Sequence, residues 1–196
     1  MPAPRNIEAL IAQACTAPSS HNTQPWRFEV CGATITLWAD RTRALPVNDP
    51  FDRELTISCG AALFSLRAAA AAQGLATTLQ LLPDGPAADC LAHLQLADHA
   101  GAVTDADAAL APLAQALALR RTYRKAFAAS PVTDEDALAL AQAAASEGAA
   151  LLPLDASQRQ RAAELVAEGD RLQWDDPRWR RELAMWMHPR RSGDGL

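Results

Sequence analysis

The chain has 196 residues, 49% of them hydrophobic, enough for one domain or for two small halves sharing a core. Its formal net charge of −5 argues against generic binding of nucleic acid or other polyanions. The four cysteines, Cys15, Cys31, Cys59 and Cys90, form no C-x-x-C pair. They read as reduced thiols in a cytoplasmic protein, with no metal site expected.

In chain order, "MPAPRNIEAL" lacks the apolar stretch of a secretory signal, and no apolar run reads as long enough to span a bilayer. A first helix is predicted over Ile7–Cys15, with Asn6 as N-cap and Ile7, Leu10, Ile11 and Ala14 on one face. Pro18 stops it, and the loop "APSSHNTQPWRF" follows at 17–28. Trp26, Phe28 and Val30 alternate, a "CGA" turn intervenes, and "TITLWA" alternates again, which predicts a β-hairpin bent at Gly32. "DRTRALPVNDPFDR" is turn-rich and irregular.

The most apolar helix is predicted over Glu54–Gln73, ended by Gly74 at the C′ position. It is apolar around most of its circumference and should be central and buried, with Gly60, Ala61 and Ala62 allowing close approach of another backbone. "TTLQLL" and "DCLAHLQL" flank a Pro-Asp-Gly-Pro turn and predict a second hairpin.

"GAVTDADAALA" reads as a seam between halves 1–103 and 104–196. Further helices are expected from Pro112 to about Arg121, from a Thr133/Asp136 cap to Gly148, from an Asp155/Gln158 cap to about Trp174, and over about Arg178–Met187. "AALLPL" is a short strand candidate. The fold class is α+β, helix-rich, with short antiparallel strands.

Two stretches could carry chemistry. In the loop, Ser19, Ser20, Asn22 and Gln24 offer neutral donors and acceptors suited to a flat heterocycle with alternating C=O and N–H groups. Pro18 and Pro25 stiffen it, which reduces the entropy lost on binding. A simpler account is that Ser19 or Asn22 caps a turn and Trp26 begins a strand. In "RRTYRKAF", Arg120, Arg121, Arg124 and Lys125 fall within six positions. They either complement the end of the Pro112 helix or, with Thr122, form a phosphate cradle, because guanidinium forks match phosphate oxygens. Together the stretches suit a ligand with a polar ring at one end and a phosphate at the other; flavin mononucleotide answers that description, as do other nucleotides. A Ser-His-Asp hydrolase elbow (G-x-S-x-G) and a P-loop are both absent.

"APSSHNTQPWRF" resembles the serine-asparagine loop of the nitroreductase family, roughly A-P-S-x-x-N-x-Q-P-W, and "RRTYRKAF" resembles its basic R-R-[ST]-x-R-x-F signature. In ordinary members the basic signature comes first. Here the order is inverted, which is similar to the Acg-like branch, where one chain holds two nitroreductase-like halves. "NDPFDRELTISCGAALFSLRAAAAAQGL" resembles that branch's central helix region, and "RELAMW" with "SGDGL" resembles its later Trp and Asp-Gly-[LIV]-Pro segment.

The resemblance implies a nitroreductase-like sandwich around a buried central helix. Pro18, Ser19, Ser20 and Asn22 would line the FMN ring with Gln24 nearby, and Arg120, Arg121, Thr122 and Arg124 would hold the phosphate or the ring's polar edge. NADH or NADPH would be the electron donor and a small molecule the acceptor. No catalytic acid or base is expected; His21, the loop's one candidate for that role, would be positional or solvent-facing. A homodimer is the expected assembly, with no nucleic-acid or membrane partner. The family continues beyond "SGDGL", so the resemblance further implies a C-terminally truncated chain with an incomplete second half. The alternatives are an FMN-storing protein without efficient turnover and an inactive remnant.

Overall fold

The protein is described by a computed structural model covering residues 6–97, 105–187 and 194–195. Residues 1–5, the first four residues of the expected seam and most of "SGDGL" lie outside the described residues. The described chain forms two compact units, one of residues 1–122 with 178–196 and one of residues 123–177. This division concerns packing, whereas the expected halves 1–103 and 104–196 concern internal likeness.

The first unit is α+β. Helix α1 (Ile7–Ala14) starts as predicted, with the Asn6 side chain accepting from the Ala9 N–H at 3.0 Å. The predicted hairpin is β1 (Trp26–Cys31) and β2 (Thr34–Ala39), with Gly32 in the left-handed region at φ 59°. The second hairpin is β3 (Thr77–Leu81) and β4 (Cys90–Leu96). The four strands make one antiparallel sheet in the order β1-β2-β4-β3, with a register shift between Leu37 and Trp38. Alternation works as expected: Ile35, Leu37 and Ala39 of β2 and Ala92, Leu94 and Leu96 of β4 are buried.

Helix α2 (Arg53–Ala72) is the centre of this unit. Leu55, Cys59, Ala62 and Leu63 pack with Trp26, Leu37 and Ala92; Leu66, Ala69 and Ala70 pack with Leu10, Ala14, Ile35 and Leu94. Ala68 and Ala71 meet Leu110 of α3 (Asp105–Leu110), with α4 (Leu113–Leu119) alongside. One helix thus contacts the sheet, α1 and the α3–α4 pair, because small alanines cover much of its surface. Gly74, at φ 69°, ends it, as predicted.

Two expectations about these helices need correction. Gly60 is exposed, and a Cβ placed there would meet nothing within 4 Å, so it does not serve a close backbone approach. By length and mean hydropathy (1.5 over its best window) α2 could cross a membrane, contrary to the sequence reading, but most of it is buried in this core. The helix expected from Pro112 to about Arg121 is α4, with Pro112 and Arg120 as its caps, and α3 precedes it as a separate short helix.

The second unit contains α5 (Asp134–Ser146) and α6 (Ala156–Asp175). Thr133 caps α5 by accepting from the Asp136 N–H, and Asp155 with Gln158 forms a full capping box on α6. Neither helix has a buried residue. "AALLPL" is not a strand: all four described strands belong to the first unit's sheet, so nothing supplies the ladder that a strand needs. Helix α7 (Pro177–Trp186) follows; from Arg178 on it belongs to the first unit.

Candidate functional site

The loop between α1 and β1 has an unusual backbone. Ser19 is extended, Ser20–Asn22 form a single 3₁₀ turn, and His21, Asn22 and Gln24 have φ of 49°, 54° and 50°. The left-handed region costs a non-glycine residue about 1–2 kcal/mol, less for asparagine, whose side chain can bond locally. Three such residues within four positions persist only where surrounding contacts over-determine them.

Those contacts come from several directions. The Ser19 Oγ accepts the Gln24 N–H at 2.9 Å. Pro25 is fully buried, and its carbonyl accepts the Asp40 N–H at 3.0 Å and the Cys59 thiol at 3.2 Å. Burial pushes the Cys59 thiol up to about 12, so it stays a protonated donor. Asn22 makes two bonds to one residue: its Nδ2 donates to the Gly195 carbonyl and its own carbonyl accepts the Gly195 N–H, both at 3.1 Å. Arg43 donates to the Thr23 carbonyl at 2.9 Å and to Asp194 at 2.8 Å. The Ser20 hydroxyl donates to Glu54 at 2.5 Å.

Glu54 lies in the first turn of α2, and the start of that helix is itself built with care. The Asp49 carboxylate accepts the N–H groups of Arg53 and Leu55, both at 2.9 Å, satisfying two orphan donors of the helix terminus. Asp52, the N-cap, is left-handed at φ 52°, and Arg41 joins it to Asp89. The hydrogen bond to Asp89 and the two nearby carboxylates hold the Arg41 guanidinium more firmly charged than usual.

Beside the loop opens a cleft of about 580 Å³, bounded by Ile11, Cys15, Gln24, Trp26, Phe28, Arg43 and Asp194 among others. Ligand sites commonly span about 300–1,000 Å³. Trp26 and Phe28 supply apolar wall and Gln24 an amide, whereas the Arg43 charge is already matched by Asp194 and Asp40. The cleft therefore suits a neutral ring better than a dianion.

The basic segment is arranged differently. The Arg120 Nη2 donates to the Thr16 carbonyl at 3.3 Å, which brings it to the entry of the loop, and its Nη1 reaches the Thr122 hydroxyl at 3.3 Å. Arg121 donates to the carbonyls of Ala118 and Arg120, serving the end of α4. Arg121 and Thr122 are exposed and Arg120 is half-buried. Arg124 and Lys125 belong to the second unit.

Several residues in this arrangement were not apparent beforehand. Glu54 was read only as the start of the apolar helix, Asn48 lies in a segment singled out by likeness, and Asp194–Gly195 only as a short motif. Glu182 lay in "RELAMW", singled out only by likeness, and its burial gave no signal, since a glutamate on an amphipathic helix ordinarily faces water.

No family profile matches the chain. Individual relatives do. The chain is 36% identical over 186 residues to a Mycobacterium tuberculosis protein named "Putative NAD(P)H nitroreductase Rv3131", covering 94% of this chain and 52% of that protein. It is 38% identical over 130 residues to "Putative NAD(P)H nitroreductase acg" of the same organism, covering 65% and 38% respectively. It is 32% identical over 189 residues to "Uncharacterized protein Rv3127", again of that organism, covering 93% and 53%. The chain thus spans about half the length of the first of these curated relatives. With a likeness that covers nearly all of its own length, the chain belongs to the nitroreductase family.

Proposed function

We propose that the protein is an FMN-binding, nitroreductase-like oxidoreductase of the Acg-like branch, using NADH or NADPH as electron donor and a small molecule as acceptor. The observation that carries this reading is the braced loop: three left-handed non-glycine residues, His21, Asn22 and Gln24, held by Ser19, Gly195 and Arg43. A loop serving only as a connection has no need of that strain. The relatives named as NAD(P)H nitroreductases support the reaction class.

The donor set fits the group. Pro18, Ser19, Ser20 and Asn22 would line the ring with Gln24 nearby; of these five, Gln24 is the one that bounds the near-neutral cleft. Arg120, Arg121, Thr122 and Arg124 would hold the phosphate or the ring's polar edge. A guanidinium has five N–H donors, so the two bonds made by Arg120 leave others to offer. When bound, the flavin supplies hydride chemistry; the chain supplies orientation, a stiff wall and charge. No side chain need act as acid or base. The halves 1–103 and 104–196 are proposed as two nitroreductase-like repeats. A cytoplasmic homodimer is the proposed setting.

A second reading, storage of FMN without efficient turnover, is favoured by one observation. The Asn22 amide and Ser20 hydroxyl are engaged within the chain, as suits a static binding wall. Anaerobic mixing with NADPH and then NADH separates the two. Rapid bleaching of bound flavin supports the oxidoreductase; bound flavin that stays oxidised supports storage.

A further inference from the structure

A chain of hydrogen bonds runs from α7 to the polar loop, entirely within the first unit. Glu182, only 4% exposed, uses both carboxylate oxygens on main-chain donors: the Val47 N–H at 2.9 Å and the Asn48 N–H at 2.8 Å. The indole N–H of Trp179, one turn earlier on α7, donates to the Asn48 side-chain oxygen at 2.9 Å. That bond fixes which end of the Asn48 amide faces which way, so its Nδ2 points to Glu54 and donates to Oε2 at 3.2 Å. The same oxygen accepts the Ser20 hydroxyl at 2.5 Å, within the range of a charge-assisted O–H···O⁻ bond.

The consequence is chemical. A serine hydroxyl has one proton, and that of Ser20 is committed to Glu54, so toward any other group its oxygen presents lone pairs only. Ser19 is the opposite case: its oxygen already accepts the Gln24 N–H, which leaves its proton to donate. Neighbouring serines thus have opposite polarity. A ring that meets both must present an acceptor to one and an N–H to the other.

We propose that Glu54 is a positioning residue that makes Ser20 an acceptor for a ring N–H, and that Glu182, through Asn48, holds Glu54 in place for this. The inference rests on the reading that the loop lines a flavin ring. Oxidised FMN carries a single ring N–H, so N3-methylated FMN, which has none, is the matched probe.

The experiment compares dissociation constants for FMN and N3-methyl-FMN, by quenching of flavin fluorescence, in the wild type and Glu54→Ala, with thermal unfolding measured alongside. The wild type is expected to favour FMN by about tenfold, one net hydrogen bond's worth. Glu54→Ala removes the oxygen that takes the Ser20 proton and so returns that proton to the site. The preference should then fall to about threefold or less, with unfolding unchanged. Glu182→Gln, which leaves Glu54 itself intact, should lower the preference in the same direction but less. A wild-type preference that survives in Glu54→Ala overturns the inference and leaves the flavin reading standing. Failure of the wild type to bind either flavin overturns the flavin reading itself, and this inference with it.

Discussion

The two compact units contrast in how they are held. In the first, α2 lies among the sheet, α1 and the α3–α4 pair, and residues such as Leu66, Cys59 and Leu94 are fully buried. In the second, α5 and α6 have good caps and side-chain ion pairs, such as Arg171 between Glu168 and Asp175, yet bury nothing. The lesson is that helix formation and core formation are separable. Caps and i,i+4 pairs specify where helices begin and end, but only the first unit has the packing that can hold a strained loop. Of the two stretches proposed to hold the ligand, the loop at 17–28 is accordingly the rigid one, and the basic segment is the more exposed.

The contrast is tested most strongly by matched core substitutions. Leu66→Ala should cost about 2–5 kcal/mol, through lost transfer energy and a cavity beneath α2. Leu165→Ala on α6, where the leucine is 58% exposed, should change stability by about 0.5 kcal/mol or less. Urea unfolding of both variants provides the check, and equal losses would break the contrast.

Next in size is Glu182→Ala. It leaves the N–H groups of Val47 and Asn48 without their carboxylate partner and should cost about 2–4 kcal/mol. Hydrogen exchange should show the loss around residues 46–49.

Replacing both Arg120 and Arg121 by alanine should leave stability within about 0.5 kcal/mol, because their bonds are to carbonyls that water can serve. FMN affinity should fall at least tenfold, about 1.4 kcal/mol per factor of ten. Unfolding by circular dichroism would instead mark these arginines as structural.

The smallest effect concerns pH. Hydrogen bonds from the Gln158 N–H and the Ser157 hydroxyl hold the Asp155 carboxyl below its ordinary 3.8. A depressed folded value stabilises the ionised cap, so the contribution is present above 3.8 and disappears as pH falls through the lower folded value. Helical signal from α6 should fray in that acid window and not near neutrality, and Asp155→Asn should flatten the dependence.

Much of the fold was legible because its signals are local. Asn6, Thr133 and Asp155 announce helix starts by side-chain chemistry; Gly32 and Gly74 announce turns by the φ they allow; alternation in "TITLWA" and "DCLAHLQL" announces strands with one buried face. "AALLPL" misled because an apolar run says nothing about whether a partner strand exists. Gly60 misled because a small residue permits close approach without requiring it. The polar character of Ser19, Ser20, Asn22 and Gln24 was visible in sequence, but their bracing was not. Asn22 is tied to Gly195 across 173 positions and Glu182 to Asn48 across 134, and no periodicity records such distant pairs.

The central claim is that the braced loop and the basic segment together hold FMN, and the absorbance spectrum of the freshly purified protein tests it most directly, followed by titration with FMN. The account predicts a flavin spectrum on isolation or on addition of FMN, with saturable quenching that weakens in Asn22→Ala combined with Arg121→Ala. A colourless protein whose fluorescence titration shows no saturable FMN binding would contradict it.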